Sequence, residues 1–169
     1  MSNAFETIRQ FDKMLQNLDG WIGKAATHAE ARKFDVDTLV QARLAPDQYN
    51  LARQVQAGCD SAKFAAAYLT GKAAPPHPDT ETTIPELRAR IAACRGFLDS
   101  LSEADFAGAE DRRVSPPWLH GKWLTASDYL RETAVPNFYF HVVTAYSILR
   151  HNGVDVGKMD FIGSMTLQG

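Results

Sequence analysis

The chain has 169 residues, 45% hydrophobic and 22% charged, with a formal net charge of -2 from 18 basic and 20 acidic side chains. That is enough chain and apolar content for one domain with a real core, and we expect residues 1–169 to form one. No run of like charge marks a nucleic-acid or membrane surface, no apolar stretch approaches a membrane span, and Met1–Glu6 lacks the layout of a secretion signal. Neither nucleic acid nor membrane is therefore expected as a partner, and a cytoplasmic location is.

The first helix is expected from Asn3 to about Ala29. Asn3 is placed to cap it, with Glu6 three residues on completing a capping-box pattern. Ile8, Phe11, Leu15, Leu18, Ile22, Ala25 and Ala29 recur at alternating steps of three and four, the spacing of a bundle seam. Gly20 and Gly23 weaken this helix and either admit a close neighbour or bend it. The connector from His28 to Ala45 carries too many apolar groups to be free linker, and a short helix over Asp37–Arg43, capped by Asp37, would tuck them onto the bundle end.

Pro46 and Asp47 suit the first turn of a second helix running to about Thr70. Its inner stripe of small residues, Cys59, Ala62 and Ala66 among them, suits packing against a bulky partner, and Gly71 closes it. Lys72 to Thr82 is a proline-rich crossing loop. Thr83 and Glu86 then form a capping box for a third helix whose seam runs through Ile84, Leu87, Ile91, Cys94, Leu98 and Leu101. Cys59 and Cys94 both fall on apolar stripes and read as reduced core residues. Ser102 and Asp105 cap a short turn that buries Phe106.

Ala107 to Lys122 has no helical period and suits a short strand and turn, or a small hairpin. Trp123 to Ala134 fits either a helix over Asp128–Glu132, capped by Thr125 or Ser127, or an extended Tyr129-Leu130. The last helix runs from Pro136 to Asn152-Gly153. Its three consecutive aromatics, Phe138, Tyr139 and Phe140, point to three sides, so it is expected to be buried nearly all round. Val154, Val156, Met159, Phe161 and Ile162 are expected to fold back as turns.

Three stretches together, Gln54–Lys63, Pro136-Asn137-Phe138-Tyr139-Phe140-His141 and Leu149–Phe161, resemble a bacterial domain-of-unknown-function family in the DinB/YfiT-like superfamily. The resemblance covers essentially the whole chain. It implies an all-α DinB-like four-helix bundle with a short irregular or hairpin insert before the last helix. It also implies descent from metalloenzymes, some of them thiol-dependent transferases or isomerases. Their metal is held by one histidine on the second helix and a His-x-x-x-His pair on the fourth. Here Ala145 and Asn137 stand four residues after and before His141, and the second helix has no histidine. Only His141 carries over, so no cofactor is favoured, and zinc or nickel would need Asp60 or Asn137 as substitute ligands.

His141 reads either as a ligand or general base, or as a core histidine satisfied by a neighbour. Gln56, Asp60 and Lys63 lie one turn apart on one helical face. If that face looks across at the last helix, Asp60 can orient His141 and Asn137 can add an amide; otherwise Asp60 and Lys63 form an ordinary i,i+3 pair. Tyr139, Tyr146, Trp118 and Trp123 serve as pocket lining or as core and interface anchors. His28, His77 and His120 read as solvated loop residues, and His151 as a complement to a helix C-terminus. Two functions follow. One is a small-molecule-binding bundle, or a degenerate relative of metal-dependent transferases, with its site at His141, Asp60, Asn137, Gln56, Lys63 and Tyr139. The other is a non-catalytic bundle acting through self-association as a homodimer.

Overall fold

A computed structural model describes residues 3–169. Four long helices, α1 (Asn3–Arg32), α2 (Leu51–Thr70), α3 (Ile84–Asp99) and α5 (Val135–His151), form the all-α bundle. Two short ones, α4 (Ala126–Tyr129) and α6 (Lys158–Ile162), extend it. The predicted seams of α1 and α3 are buried from end to end, and Cys59 and Cys94 are free core thiols. Phe11 of α1 stacks on Phe138 of α5 with ring centres 4.1 Å apart, at the middle of the apolar interior. No helix among the described residues is long and apolar enough to cross a membrane.

Several boundaries differ from the sequence reading, each for a local reason. The residue that would cap α1 lies outside the described residues, since the helix already includes Asn3. A Cβ on Gly20 or Gly23 would meet open space, so neither glycine serves a close approach. The connector forms a 3-10 turn over Val36–Gln41 capped by Asp35, not Asp37. Asp37 instead accepts from the Ile84 amide at the start of α3. α2 begins at Leu51, four residues later than Pro46-Asp47 suggest, because Asn50 is the group that caps it by accepting from the Arg53 amide. The capping box of Thr83 and Glu86 forms as read.

The insert is a hairpin of β1 (Arg113–Val114) and β2 (Leu124–Thr125), with Arg113 opposite Thr125. Its second strand thus falls in the stretch left open between helix and strand. Thr125 then caps α4, and the chain continues through a π-helical turn over Leu130–Ala134 directly into α5. Pro136 explains that turn. It has no N–H to donate and its ring would crowd a carbonyl one α-turn back. Opening the turn by one residue, with the Val135 amide reaching Leu130, accommodates it.

α5 is not buried all round. Phe138, Val142 and Ala145 face inward, while Phe140 is 55% and Val143 43% exposed. The tail does fold back, but through a helix: α6 sets Phe161 flat against Trp21 of α1, and Trp21 Nε1 donates to the Asp160 carbonyl. Met159, by contrast, is exposed.

Candidate functional site

α2 and α5 approach closely at Gly58, where an added Cβ would lie 3.6 Å from Val142 and 3.8 Å from the His141 Cβ. That proximity brings His141 against α2. Its Nδ1 lies 2.8 Å from Gln54 Oε1, and Gln54 Nε2 donates to the Tyr49 carbonyl. The second bond fixes the amide's orientation, so Oε1 can only accept and the ring proton sits on Nδ1. Nε2 keeps its lone pair, and the Tyr49 ring lies nearly parallel to the imidazole with ring centres 6.4 Å apart. Burial, reinforced by the Arg53 charge, lowers the His141 pKa and favours the neutral ring.

Asp60 does not orient His141. Gln56, Asp60 and Lys63 of α2 bond to α3, to the 72–82 crossing loop and to one another, not to His141. Asp60 Oδ1 accepts from Arg90 at 2.6 Å and from Lys63 at 2.8 Å. Arg90, with its side chain almost wholly buried, also reaches Asp79 and Glu81. Gln56 donates to Glu81, and Arg53 pairs with Asp79. The i,i+3 pair of Asp60 and Lys63 thus forms, with Lys63 buried. Its ammonium also lies 2.8 Å from His77 Nδ1, which must be the acceptor. His77 is therefore part of an ionic strap, centred on Arg90, that ties the crossing loop to α2 and α3, and not a free loop histidine. Burial first, then Lys63 and Arg90, lower its pKa. For Asp79 and Glu81 burial works the other way, yet hydrogen bonds from the arginines and, at Glu81, from its own backbone and Gln56, leave both below the usual carboxylate range. Arg90 is raised despite its burial by Glu81, Asp60 and Asp79 and stays charged.

Asp60 also lines a cleft of about 680 Å³ that Asn137 of α5 shares. Asn137 Nδ2 donates to Ser61 Oγ at 2.6 Å, and Ser61 donates on to the Ala57 carbonyl. The serine hydroxyl is thus committed to structure and is not presented to a base. Phe64, Tyr68, Trp118 and Tyr129 supply aromatic walls, and Thr133 and Ala134 of the π-turn close one side. Tyr129 is only 5% exposed, and its hydroxyl has no protein partner among the described residues. Burial, with a smaller contribution from Tyr68, raises its pKa, so the phenol stays a neutral donor.

The residues singled out in the sequence therefore separate. Asp60 and Asn137 share the cleft, Gln56 and Lys63 belong to the Arg90 strap, and His141 has its own cell beside it. Tyr139 lies elsewhere, packed on Phe11 with its hydroxyl accepting from Gln10. Sequence reasoning missed Arg90, Arg53, Ser61, Tyr68 and Tyr129. A signal for the α2 lining existed: Arg53, Ala57, Asp60, Phe64 and Tyr68 recur at steps of three and four. The residues present do not fit a divalent metal. Among the described residues no three His, Cys, Asp or Glu side chains are grouped to hold one. The carboxylates that do converge already surround the Arg90 guanidinium.

Comparison with known proteins places this arrangement in context. The domain of unknown function DUF1993 matches residues 5–162. A crystal structure of a DinB family member protein from Shewanella denitrificans is 51% identical, covering 96% of this chain and 92% of that one, with a TM-score of 0.92. No curated protein matches.

Proposed function

The chain belongs to the DUF1993 domain family, and on that premise we propose that it binds a small organic molecule in the cleft between α2 and the α4–α5 segment, with no metal required. The observation that carries this reading is Tyr129, a residue only 5% exposed that lines an open cleft and whose hydroxyl has no hydrogen-bond partner among the described residues. A phenol set in an apolar wall normally directs its hydroxyl to a partner, and here that hydroxyl opens to the cleft, where a bound molecule would meet it. The cleft has the size and the make-up of a ligand site, apolar walls with a few converging polar groups.

Trp118 provides the test, since it lines the cleft and stands 55% exposed on the hairpin insert. Titration with a mixed library of small aromatic compounds should change tryptophan emission in the parent protein and not in Trp118→Phe. An equal response in both would place binding elsewhere and overturn the reading.

A second reading, self-association as a homodimer, has one observation in its favour. Phe140 and Val143 stand exposed one turn apart on α5, and a two-fold pairing would bury both from each copy. Sedimentation equilibrium tests it: a dimer dissociated by Phe140→Ser supports it, and a monomer at every concentration contradicts it.

A further inference from the structure

Resting on that cleft as the binding site, we propose that its ligand class is an uncharged planar heteroaromatic ring presenting both a hydrogen-bond donor and an acceptor at its edge. Charge, shape and unused hydrogen-bonding capacity each bear on this.

Charge comes first. Three cations around Asp60, namely Arg53, Lys63 and Arg90, are matched by three anions, Asp60, Asp79 and Glu81. No excess of either sign is left to hold a charged ligand. The attraction of the aromatic walls for a cation is partly spent as well, because Lys63 Nζ sits 4.9 Å from the centre of the Phe64 ring. An anionic ligand would meet the Asp60 carboxylate, which lines the cleft.

Shape follows from the walls. Phe64, Tyr68, Trp118 and Tyr129 are flat, with Tyr68 and Tyr129 edge-to-face at 5.5 Å, and such surfaces favour a flat partner stacked or set edge-on.

The hydrogen-bonding capacity decides the edge. Both of Asp60's partners take Oδ1, so Oδ2 is an unused acceptor. Asn137 spends its Nδ2 on Ser61, leaving its carbonyl oxygen as a second acceptor. Tyr129 lines the same cleft, and its Oη, with no partner among the described residues, is an unused donor. A ring with an N–H or amino group beside a ring nitrogen or carbonyl satisfies both sides; benzene or a simple alkyl chain leaves them unsatisfied.

Isothermal titration calorimetry on the full chain, with three probes of similar size, tests the class. The probes are adenine as the neutral ring with donor and acceptor, benzoate as the planar anion, and phenethylammonium as the aromatic cation. Each is run against the parent protein, Tyr129→Phe and Trp118→Ala, with thermal unfolding of every variant recorded. The expected result is saturable binding of adenine alone, weakened about tenfold by Tyr129→Phe with no loss of thermal stability, and weakened by Trp118→Ala. Tighter binding of benzoate or phenethylammonium that the same variants weaken overturns the class and leaves the cleft as the site. Adenine binding that neither variant weakens lies outside the cleft and overturns the proposal. Absence of adenine binding also overturns the class, while the broader reading is then judged by the Trp118 titration.

Discussion

Arg90 shows how much one side chain can decide. Buried in α3, it is the cation on which Asp60 of α2 and Asp79 and Glu81 of the crossing loop converge. Removing one partner of a buried ionic cluster leaves the others uncompensated. Arg90→Met is therefore expected to destabilise the fold by about 3–5 kcal/mol in urea unfolding, and a loss below about 1 kcal/mol would contradict this account of the strap. The same groups set a pH dependence. Asp79 and Glu81 have folded pKa values below their ordinary 3.8 and 4.5. Their contribution is present above those ordinary values and is lost as pH falls through the folded ones. His141 adds a window at higher pH. Its folded pKa lies below the ordinary 6.5, so between the two values the unfolded chain binds more protons and stability falls as pH drops from 6.5. Unfolding free energies measured between pH 7 and 5 should fall less steeply in His141→Gln, with His77, whose pKa is also lowered, supplying the rest of the slope. That His141 is a core histidine satisfied by a neighbour is one of the two readings its lone position in an aromatic helix allows. Its partner Gln54 could not be read from the sequence, because an amide on a helix flank carries no pattern that tells it from a solvated one.

At the scale of elements, periodicity and caps were legible wherever the deciding group is local. The seams of α1 and α3 and the Thr83–Glu86 box are of this kind. The start of α2 was misplaced because Pro46-Asp47 and Asn50 both carry start signals, and only the tertiary fold chooses between them. Asn50 accepts from the Arg53 amide and also donates to Gln41. Asn50→Ala is thus expected to cost about 1 kcal/mol, while Asp47→Ala stays within about 0.5 kcal/mol; the reverse order in chemical denaturation would restore the earlier start. Gly58 offers a second check. A Cβ there would make only ordinary contacts with Val142 and His141, so Gly58→Ala should raise stability by about 0.5–1 kcal/mol through helix propensity. A lowered melting temperature would mean that α2 and α5 need to approach more closely than these distances indicate. The π-turn lay in the segment left open between helix and strand. Its cause, a proline continuing a helix already capped by Thr125, involves two signals eleven residues apart that separately argue for opposite endings.

For the whole molecule, the bundle was legible and the site only in part. Seams show which faces turn inward, but not which neighbour each flank meets. Asp60 thus reads equally as a partner of His141 or of Lys63; it pairs with Lys63 and also with Arg90, and lines the cleft. The cleft joins α2 to residues more than fifty positions away, and no local pattern announces such a juxtaposition. The most direct test of the cleft as a metal-independent binding site is an amide chemical-shift map of the EDTA-treated, isotopically labelled protein titrated with small aromatic compounds. The account predicts shifts concentrated on residues 57–68, 117–118 and 129–137. Shifts confined to the exposed α5 stripe at Phe140 and Val143, or seen only after a divalent metal is restored, would contradict it.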